Sequence, residues 1–408
     1  MKLENTKRGN LVKILRVHPF YPSLLYKVKR GTIRHEQDRR LTERGHKIYV
    51  VSCKTFGAPL FEKVGRIHVF RVPSIVLPIL EYPFPNLLML YLWIVRIAKA
   101  KKVDVIHFTD TGYLTSLPIF LIRAKLKKPV VLTVIGFPGV SWFYGYALVD
   151  FVGKIYTYTI GKKILAAADK IILSATSMIR DAVRFGVPIN KIKVILRGVD
   201  TEIFHPDAEQ RRALRERLGL KEDDIVILFA GRLVPVKGVS YFIEAAEMLL
   251  EKGKDSRSHK LKFLVVGDGI LRGKYEKDKL LYESGIRFLG FRHDMPNVMN
   301  AADIFVLSSL SEGCPNAVLE AAACAKPVIA SDVGAVKDII IDGVTGLIVQ
   351  PRNVNDLYNA MEKVIIELEQ TNIGKEAMQR VTRFFTWDVI ASKYEKTYFE
   401  TLELQEAD

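Results

Sequence analysis

The feature that most constrains this chain is a recurring short run of Val- and Ile-rich residues, separated each time by a helix-forming stretch. In the first half the runs are Leu11–Val17, Lys47–Ser52, Ile67–Val72, Val103–Phe108, Val130–Val134, Lys170–Ser174 and Lys193–Leu196. In the second they are Ile225–Ala230, Lys262–Val266, Ile286–Leu289, Asp303–Leu307, Val328–Ser331 and Leu347–Val349. Their apolarity is continuous rather than alternating, which fits strands buried on both faces of a parallel sheet. The β-α-β order predicts an α/β protein of two doubly wound, Rossmann-like domains. A length of 408 residues accommodates both. The polar, charged segment His205–Asp224 reads as the linker between them.

Charge divides the chain in the same way. Residues 1–200 hold 34 Lys and Arg against 12 Asp and Glu, whereas residues 201–408 hold 27 against 33. A basic first half suits an anionic membrane surface, an anionic acceptor or an ordinary solvated surface; no nucleic-acid motif accompanies it. Three cysteines in no C-x-x-C pair suggest a reducing, cytoplasmic compartment. The polar start M-K-L-E-N-T-K-R-G-N is unlike a signal peptide. Residues 129–149 carry no charge, but Gly136, Pro138, Gly139, Ser141 and Gly145 interrupt them, so they read as a strand and an aromatic loop.

Two segments carry chemistry. Gly231-Arg232-Leu233-Val234-Pro235-Val236-Lys237-Gly238 follows one strand and precedes the amphipathic stretch Val239–Lys252. Arg232 and Lys237 at the carboxyl end of a sheet could hold a diphosphate, or could be two solvated cations. Ser311-Glu312-Gly313-Cys314-Pro315-Asn316-Ala317 leads into a helix whose first N–H groups would form an anion site. Glu312 precedes that helix and Glu320 lies on it. Carboxylates there suit sugar hydroxyls better than phosphate, although Glu320 could equally be a plain surface residue.

The spacing of Glu312 and Glu320, with Gly313-Cys314-Pro315 between, resembles the E-x7-E signature of glycosyltransferase family 4. Gly231-Arg232-Leu233 with Lys237-Gly238 resembles that family's G-R-L-x-x-x-K-G. Gly198-Val199-Asp200 through Phe204 and Pro206, Gly267-Asp268-Gly269, Phe288-Leu289-Gly290, Pro327–Ser331, Gly343–Gly346 and Phe385-Thr386-Trp387 follow in family order. The resemblance implies the GT-B fold: an acceptor-side domain over 1–200, a donor domain over 201–387, and a last helix, 388–408, packing back on the first domain. It implies a retaining transferase of hexosyl or N-acetylhexosaminyl groups, using a UDP- or GDP-linked sugar as co-substrate and neither cofactor nor metal. Arg232 and Lys237 would neutralise the departing diphosphate, Glu312 would meet the sugar, and Glu320 the ribose. Gly231, Gly313, Cys314, Asn316, Ala317, Gly267, Phe291 and Arg292 would complete the donor site.

The first half departs from that pattern. Val28-Lys29-Arg30-Gly31-Thr32 has one glycine where the family usually has a pair, Thr109 stands where a second His is usual, and Ile135 replaces the His of T-x-H-G. His107 is either a surviving acceptor-side group or a His hydrogen-bonded at a strand end. A sugar-nucleotide epimerase or hydrolase and a noncatalytic nucleotide-sugar binder therefore stand as alternatives. Arg34, Arg39, Arg40 and Arg44, preceded by Lys27, Lys29 and Arg30, together with Trp142-Phe143-Tyr144-Gly145-Tyr146, suit either a peripheral membrane surface or a solvated helix and a capping loop. The acceptor expected is a glycan, a lipid-linked species or a small molecule.

Overall fold

The computed structural model describes residues 11–22, 32–55, 57–77, 82–143, 145–252, 260–275, 285–368, 370 and 372–407, without the side chains of 32–34, 252 and 405–407. The readings placed on residues 1–10, on Lys27 to Gly31, on the Arg34 side chain and on Tyr144 lie outside these residues.

Two large sheets dominate the described residues. The first is built from β1 (Lys13–His18), β2 (Lys47–Cys53), β3 (Phe61–Val64), β4 (Ile67–Val72), β7 (Val105–Thr109), β8 (Val130–Val134), β9 (Lys170–Leu173) and β10 (Ile192–Val194). Its order is β10-β9-β8-β7-β1-β2-β4-β3, parallel throughout except for β3 against β4. The second contains β11 (Ile225–Ala230), β12 (Leu261–Val266), β13 (Ile286–Gly290), β14 (Ile304–Leu307), β15 (Val328–Ser331) and β16 (Leu347–Val349), all parallel, in the order β13-β12-β11-β14-β15-β16. All thirteen expected strands are present, with ends displaced by no more than two residues. Every residue of β7 and of β14 is buried, which is why these runs read as continuously apolar.

Three short strands escaped the sequence reading. β3 alternates exposed and buried residues at the sheet edge, and β5 (Ser74–Leu77) pairs antiparallel with β6 (Tyr82–Pro85) in a separate ribbon. Alternation over four residues and two prolines in one strand give little periodic signal.

The segment His205–Asp224 is not a bare linker. Asp207 caps the helix Ala208–Arg217 by accepting from the Gln210 N–H at 2.9 Å. Arg215 is buried and donates to Asp303 at 2.6 Å and to the carbonyls of Ala301, Lys221, Glu222 and Asp224. The charge that suggested a solvated linker is this network. The chain instead crosses at Arg197–Val199 and returns at Phe385–Trp387, where Val199 N–H donates to Phe385 O at 2.9 Å.

The final helix, Trp387–Ala407, lies on the first sheet. Its Tyr398 hydroxyl meets Arg16 at 3.0 Å and His107 Nδ1 at 2.7 Å, and its Glu395 meets Arg44 and His46. The basic helix Thr32–Glu43 packs beside it. Arg39 pairs within this helix, with Glu36 and Glu43, and Arg40 pairs with Asp200 and with Asp388 of the last helix. Arg44, just beyond the basic helix, also donates to Asp388 O at 3.0 Å. Arg40 and Arg44 thus tie the last helix down rather than standing free.

Candidate active site

Three loops at the carboxyl edge of the second sheet build the site. The Gly231–Gly238 loop is fastened on one side to the loop after β12: Leu233 N–H donates to Asp268 O at 2.8 Å, and Leu271 N–H to Leu233 O at 3.0 Å. On the other side Leu310 N–H donates to Val236 O, and Ser308 Oγ to Gly238 O, both at 2.8 Å. Loops held on both flanks keep their side chains preorganised. Gly267 is required where two of these loops touch. Its φ is +136°, and a Cβ there would stand 1.8 Å from Gly231 O.

Within this frame Lys237 Nζ pairs with Glu312 Oε1 at 2.6 Å, and Ser309 Oγ donates to the same oxygen at 2.7 Å. Glu312 Oε2 has no hydrogen-bond partner among the described residues. Arg232 is exposed and, among the described residues, unpaired. The helix Asn316–Ala323 begins at Pro315 without a side-chain cap, so its first N–H groups remain available to an anion. Asn316 Oδ1 accepts from Arg197 at 3.3 Å, and Cys314 Sγ from Arg197 N–H at 3.5 Å. Burial pushes the Cys314 thiol up to about 11, so it is a packing group rather than a nucleophile.

Glu320 behaves differently. Its side chain is half-buried and has no partner among the described residues, and burial pushes its carboxyl up to about 7. A raised carboxyl means that the folded state keeps its proton longer than the unfolded chain. Stability at this residue is therefore highest below about 4.5 and declines as pH rises through 7. Glu320→Gln should remove that decline. Between pH 5 and pH 8 the variant should gain about 1–3 kcal/mol relative to the parent, read by urea unfolding across a pH series. Parallel pH curves would show that the carboxyl is not desolvated.

The first domain closes over these loops. A Cβ on Gly313 would stand 2.5 Å from Ile135 O, so only glycine allows this approach. Ser177 Oγ donates to Gly334 O at 3.0 Å, and Thr176 N–H to Asp338 Oδ2 at 2.8 Å. Trp142 covers Gly136, Phe143 N–H reaches Ser311 Oγ at 3.4 Å, and Gly145 lies against Pro235 and Val236. That aromatic loop thus faces the donor loops. A cavity of about 120 Å³ at the crossing is lined by Thr109, Thr133, Ile135, Ser174, Arg197 and Tyr394, among others.

Not every expected residue joins this group. His107 is fully buried, with Nδ1 on Tyr398 and Nε2 on Thr133 Oγ1 at 2.8 Å, so it is the hydrogen-bonded strand histidine rather than a cleft group. Arg292 is held by Asp294 at 2.6 and 2.8 Å, and Phe291 is exposed beside His293. Ser309 and Arg197 were missed. The signals for them were the Ser308-Ser309 pair closing a strand and the cation immediately before Gly198-Val199-Asp200. Among the described residues no group of three His, Cys, Asp or Glu is placed to hold a metal ion.

The model for "Glycosyltransferase Family 4" matches residues 35–203, and that for "Glycosyl transferases group 1" matches residues 210–380. The chain belongs to glycosyltransferase family 4. This family 4 member is 33% identical over 199 residues to a diphosphoundecaprenol-directed galactosyltransferase of Escherichia coli, covering 48% of this chain and 50% of that one. An uncharacterised glycosyltransferase of Methanocaldococcus jannaschii is 26% identical over 382 residues, 89% of this chain and 92% of that one. The alignment to the Escherichia coli relative thus spans about half of its length. Sucrose-phosphate synthase of Thermosynechococcus elongatus superposes with a TM-score of 0.77 at 20% identity, over 97% of this chain and 100% of that one, which shows the shared GT-B fold. No described helix is long and apolar enough to cross a membrane.

Proposed function

We propose that this chain transfers a hexosyl or N-acetylhexosaminyl group, with retention, from a nucleoside-diphosphate sugar to an acceptor bound by the first domain. The observation that carries the reading is the Lys237–Glu312 pair beside unpaired Arg232 and an uncapped helix start. The diphosphate would lie between Arg232, Lys237 and the N–H groups of Asn316 and Ala317. As the bond from the anomeric carbon to phosphate breaks, negative charge grows on the departing oxygen. Fixed cations and N–H dipoles stabilise that charge without reorganising, and without requiring a metal. The acceptor hydroxyl attacks on the face being vacated, and its proton passes to the leaving phosphate. Glu312 would take hydrogen bonds from the sugar through its open Oε2, and Glu320 from the ribose.

Relatives support the substrate class. The Escherichia coli relative takes UDP-galactose and an N-acetylglucosaminyl diphosphoundecaprenol, and a relative from Streptomyces kanamyceticus is a kanosaminyltransferase. An Anabaena protein of similar fold was solved with UDP. A polyprenyl-linked acceptor, met at the cytoplasmic side, is therefore the acceptor we favour; the three free cysteines suit that compartment. The transferase relatives weigh against donor isomerisation or hydrolysis and against binding without turnover, the alternatives that Thr109 and Ile135 raised.

Calorimetry with UDP and GDP, and transfer assays with their sugars in the presence of a chelator, test this reading. Glu312→Gln should depress transfer while leaving affinity for the bare nucleotide within about threefold, since a lost contact to the sugar does not touch it. Glu320→Gln should weaken the bare nucleotide about tenfold, the loss expected for a charge-assisted hydrogen bond. Equal loss of nucleotide binding in both variants would sink the division of labour.

A further inference from the structure

The helix Ala147–Tyr156 is packed the wrong way round for a soluble protein. The inward face carries Gly153, which lies against Pro138, and Tyr156, whose hydroxyl donates to Thr111 O at 2.9 Å; just beyond the helix, Thr157 Oγ1 donates to Pro138 O at 2.9 Å. Large apolar residues face outward in one i, i+3, i+4, i+7 stripe, with Leu148 75%, Phe151 60%, Val152 56% and Ile155 51% exposed. No residue of this helix is buried.

The stripe does not stand alone. The helix Ile119–Leu126 packs between the helices Leu87–Lys101 and Lys162–Ala167, and the last of these continues the Ala147–Tyr156 helix through one wider turn. Leu88 and Leu92 are exposed on one neighbour, Phe120 and Leu121 on the other. In each case apolar residues come at the start and exposed cations follow: Arg96 and Lys99, then Lys125, then Lys154, Lys162 and Lys163. In a β-α-β layer the helices start at the carboxyl edge of the sheet, so the apolar zone borders the cleft and the basic band lies behind it. Gly145, just before the stripe, indeed touches Pro235 and Val236 of the donor loop.

Charge identifies the occupant. Residues 87–167 hold eleven Lys and Arg and three Asp, with no Glu. Asp110 is buried, Asp104 accepts from Lys13 N–H and Asp150 from Gly145 N–H. A second copy docked on this face would set one basic band against another. Anionic headgroups would neutralise the band while acyl chains took the apolar zone.

We propose that the outer face of these three helices docks on an anionic lipid bilayer, seating the cleft at the membrane surface. The docking face stands independently of the donor chemistry.

Sedimentation of the full chain with phosphatidylcholine vesicles, with and without added phosphatidylglycerol, tests it. The parent should bind the phosphatidylglycerol vesicles, and less as salt shortens the Debye length to about 3 Å at 1 M. Leu148→Gln/Phe151→Gln/Ile155→Gln should bind them at least tenfold more weakly, and Lys162→Gln/Lys163→Gln should weaken binding to anionic vesicles alone. Both variants should keep the parent's affinity for UDP or GDP, which shows that they are folded. Indifference of the parent to phosphatidylglycerol vesicles at low salt would overturn the proposal, as would equal binding by the triple variant. A parent dimer abolished by the triple variant, without vesicle binding, would assign the face to a second copy and overturn it too. Loss of nucleotide binding in the parent, with vesicle binding intact, would count against the donor reading alone.

Discussion

Arg232→Ala and Lys237→Ala are each expected to slow glycosyl transfer about a hundredfold or more, the effect of removing one preorganised charge from a departing group. The two should differ in detail. Arg232 is exposed and unpaired among the described residues, so its loss should leave stability within about 0.5 kcal/mol of the parent. Lys237 is held 2.6 Å from Glu312, so its loss also leaves a part-buried carboxylate without a cation near the diphosphate. Lys237→Ala should therefore be the slower variant. Adding Glu312→Gln to it should cost less than the two single effects multiplied, because each removes part of one interacting unit. Steady-state transfer rates and thermal melts of the parent, Arg232→Ala, Lys237→Ala, Glu312→Gln and the double variant provide the measurement. Near-normal transfer by either alanine variant would show that the leaving group is not stabilised here.

Gly267→Ala is expected to cost about 3 kcal/mol or more and to abolish nucleotide binding. The new Cβ would stand 1.8 Å from Gly231 O, a backbone atom that no rotamer change can move aside. Gly231 N–H is bound to Val266 O and Gly267 N–H to Gly290 O, both at 2.9 Å, so displacing one loop disturbs two others. Positive φ adds a further penalty. Gly343→Ala is the control. Its φ is also positive, +73°, but nothing lies within 4 Å of the added Cβ. It should cost only about 1–2 kcal/mol and leave nucleotide affinity unchanged. Urea midpoints and UDP titrations of the two variants decide the matter. Matching losses would mean that backbone conformation, not the contact between donor loops, makes Gly267 necessary.

The strands and their parallel pairing were legible because burial on both faces leaves an unbroken apolar run in the sequence. The donor loops were legible because a parallel sheet presents ligands at the carboxyl ends of its strands, and glycines there mark close backbone approaches. Gly231 and Gly267 each follow a strand and were found in this way, whereas Gly313 entered through the resemblance to glycosyltransferase family 4. Side-chain pairing was not legible. Lys237 and Glu312 were assigned to separate partners, yet 75 residues apart they form one ion pair with Ser309 alongside. Arg40 and Arg44 read as part of either a membrane-facing or a solvated helix, because Asp388 and Glu395, which take them up, arrive only when the last helix crosses back over the first sheet.

Local sequence thus determined which segments become strands, where the chain would turn glycine-rich loops toward a ligand, and that the two halves carry opposite charge. Backbone hydrogen bonding and apolar burial act over a few residues and leave their period in the chain. Tertiary structure decided whether each charge is spent or free, because that depends on partners far away in sequence. It engaged Arg40 and Arg44, buried His107 under Tyr398, and left Arg232 open among the described residues. It also turned Leu148, Phe151, Val152 and Ile155 outward, while Gly153 on the opposite side of the helix packs closely against Pro138.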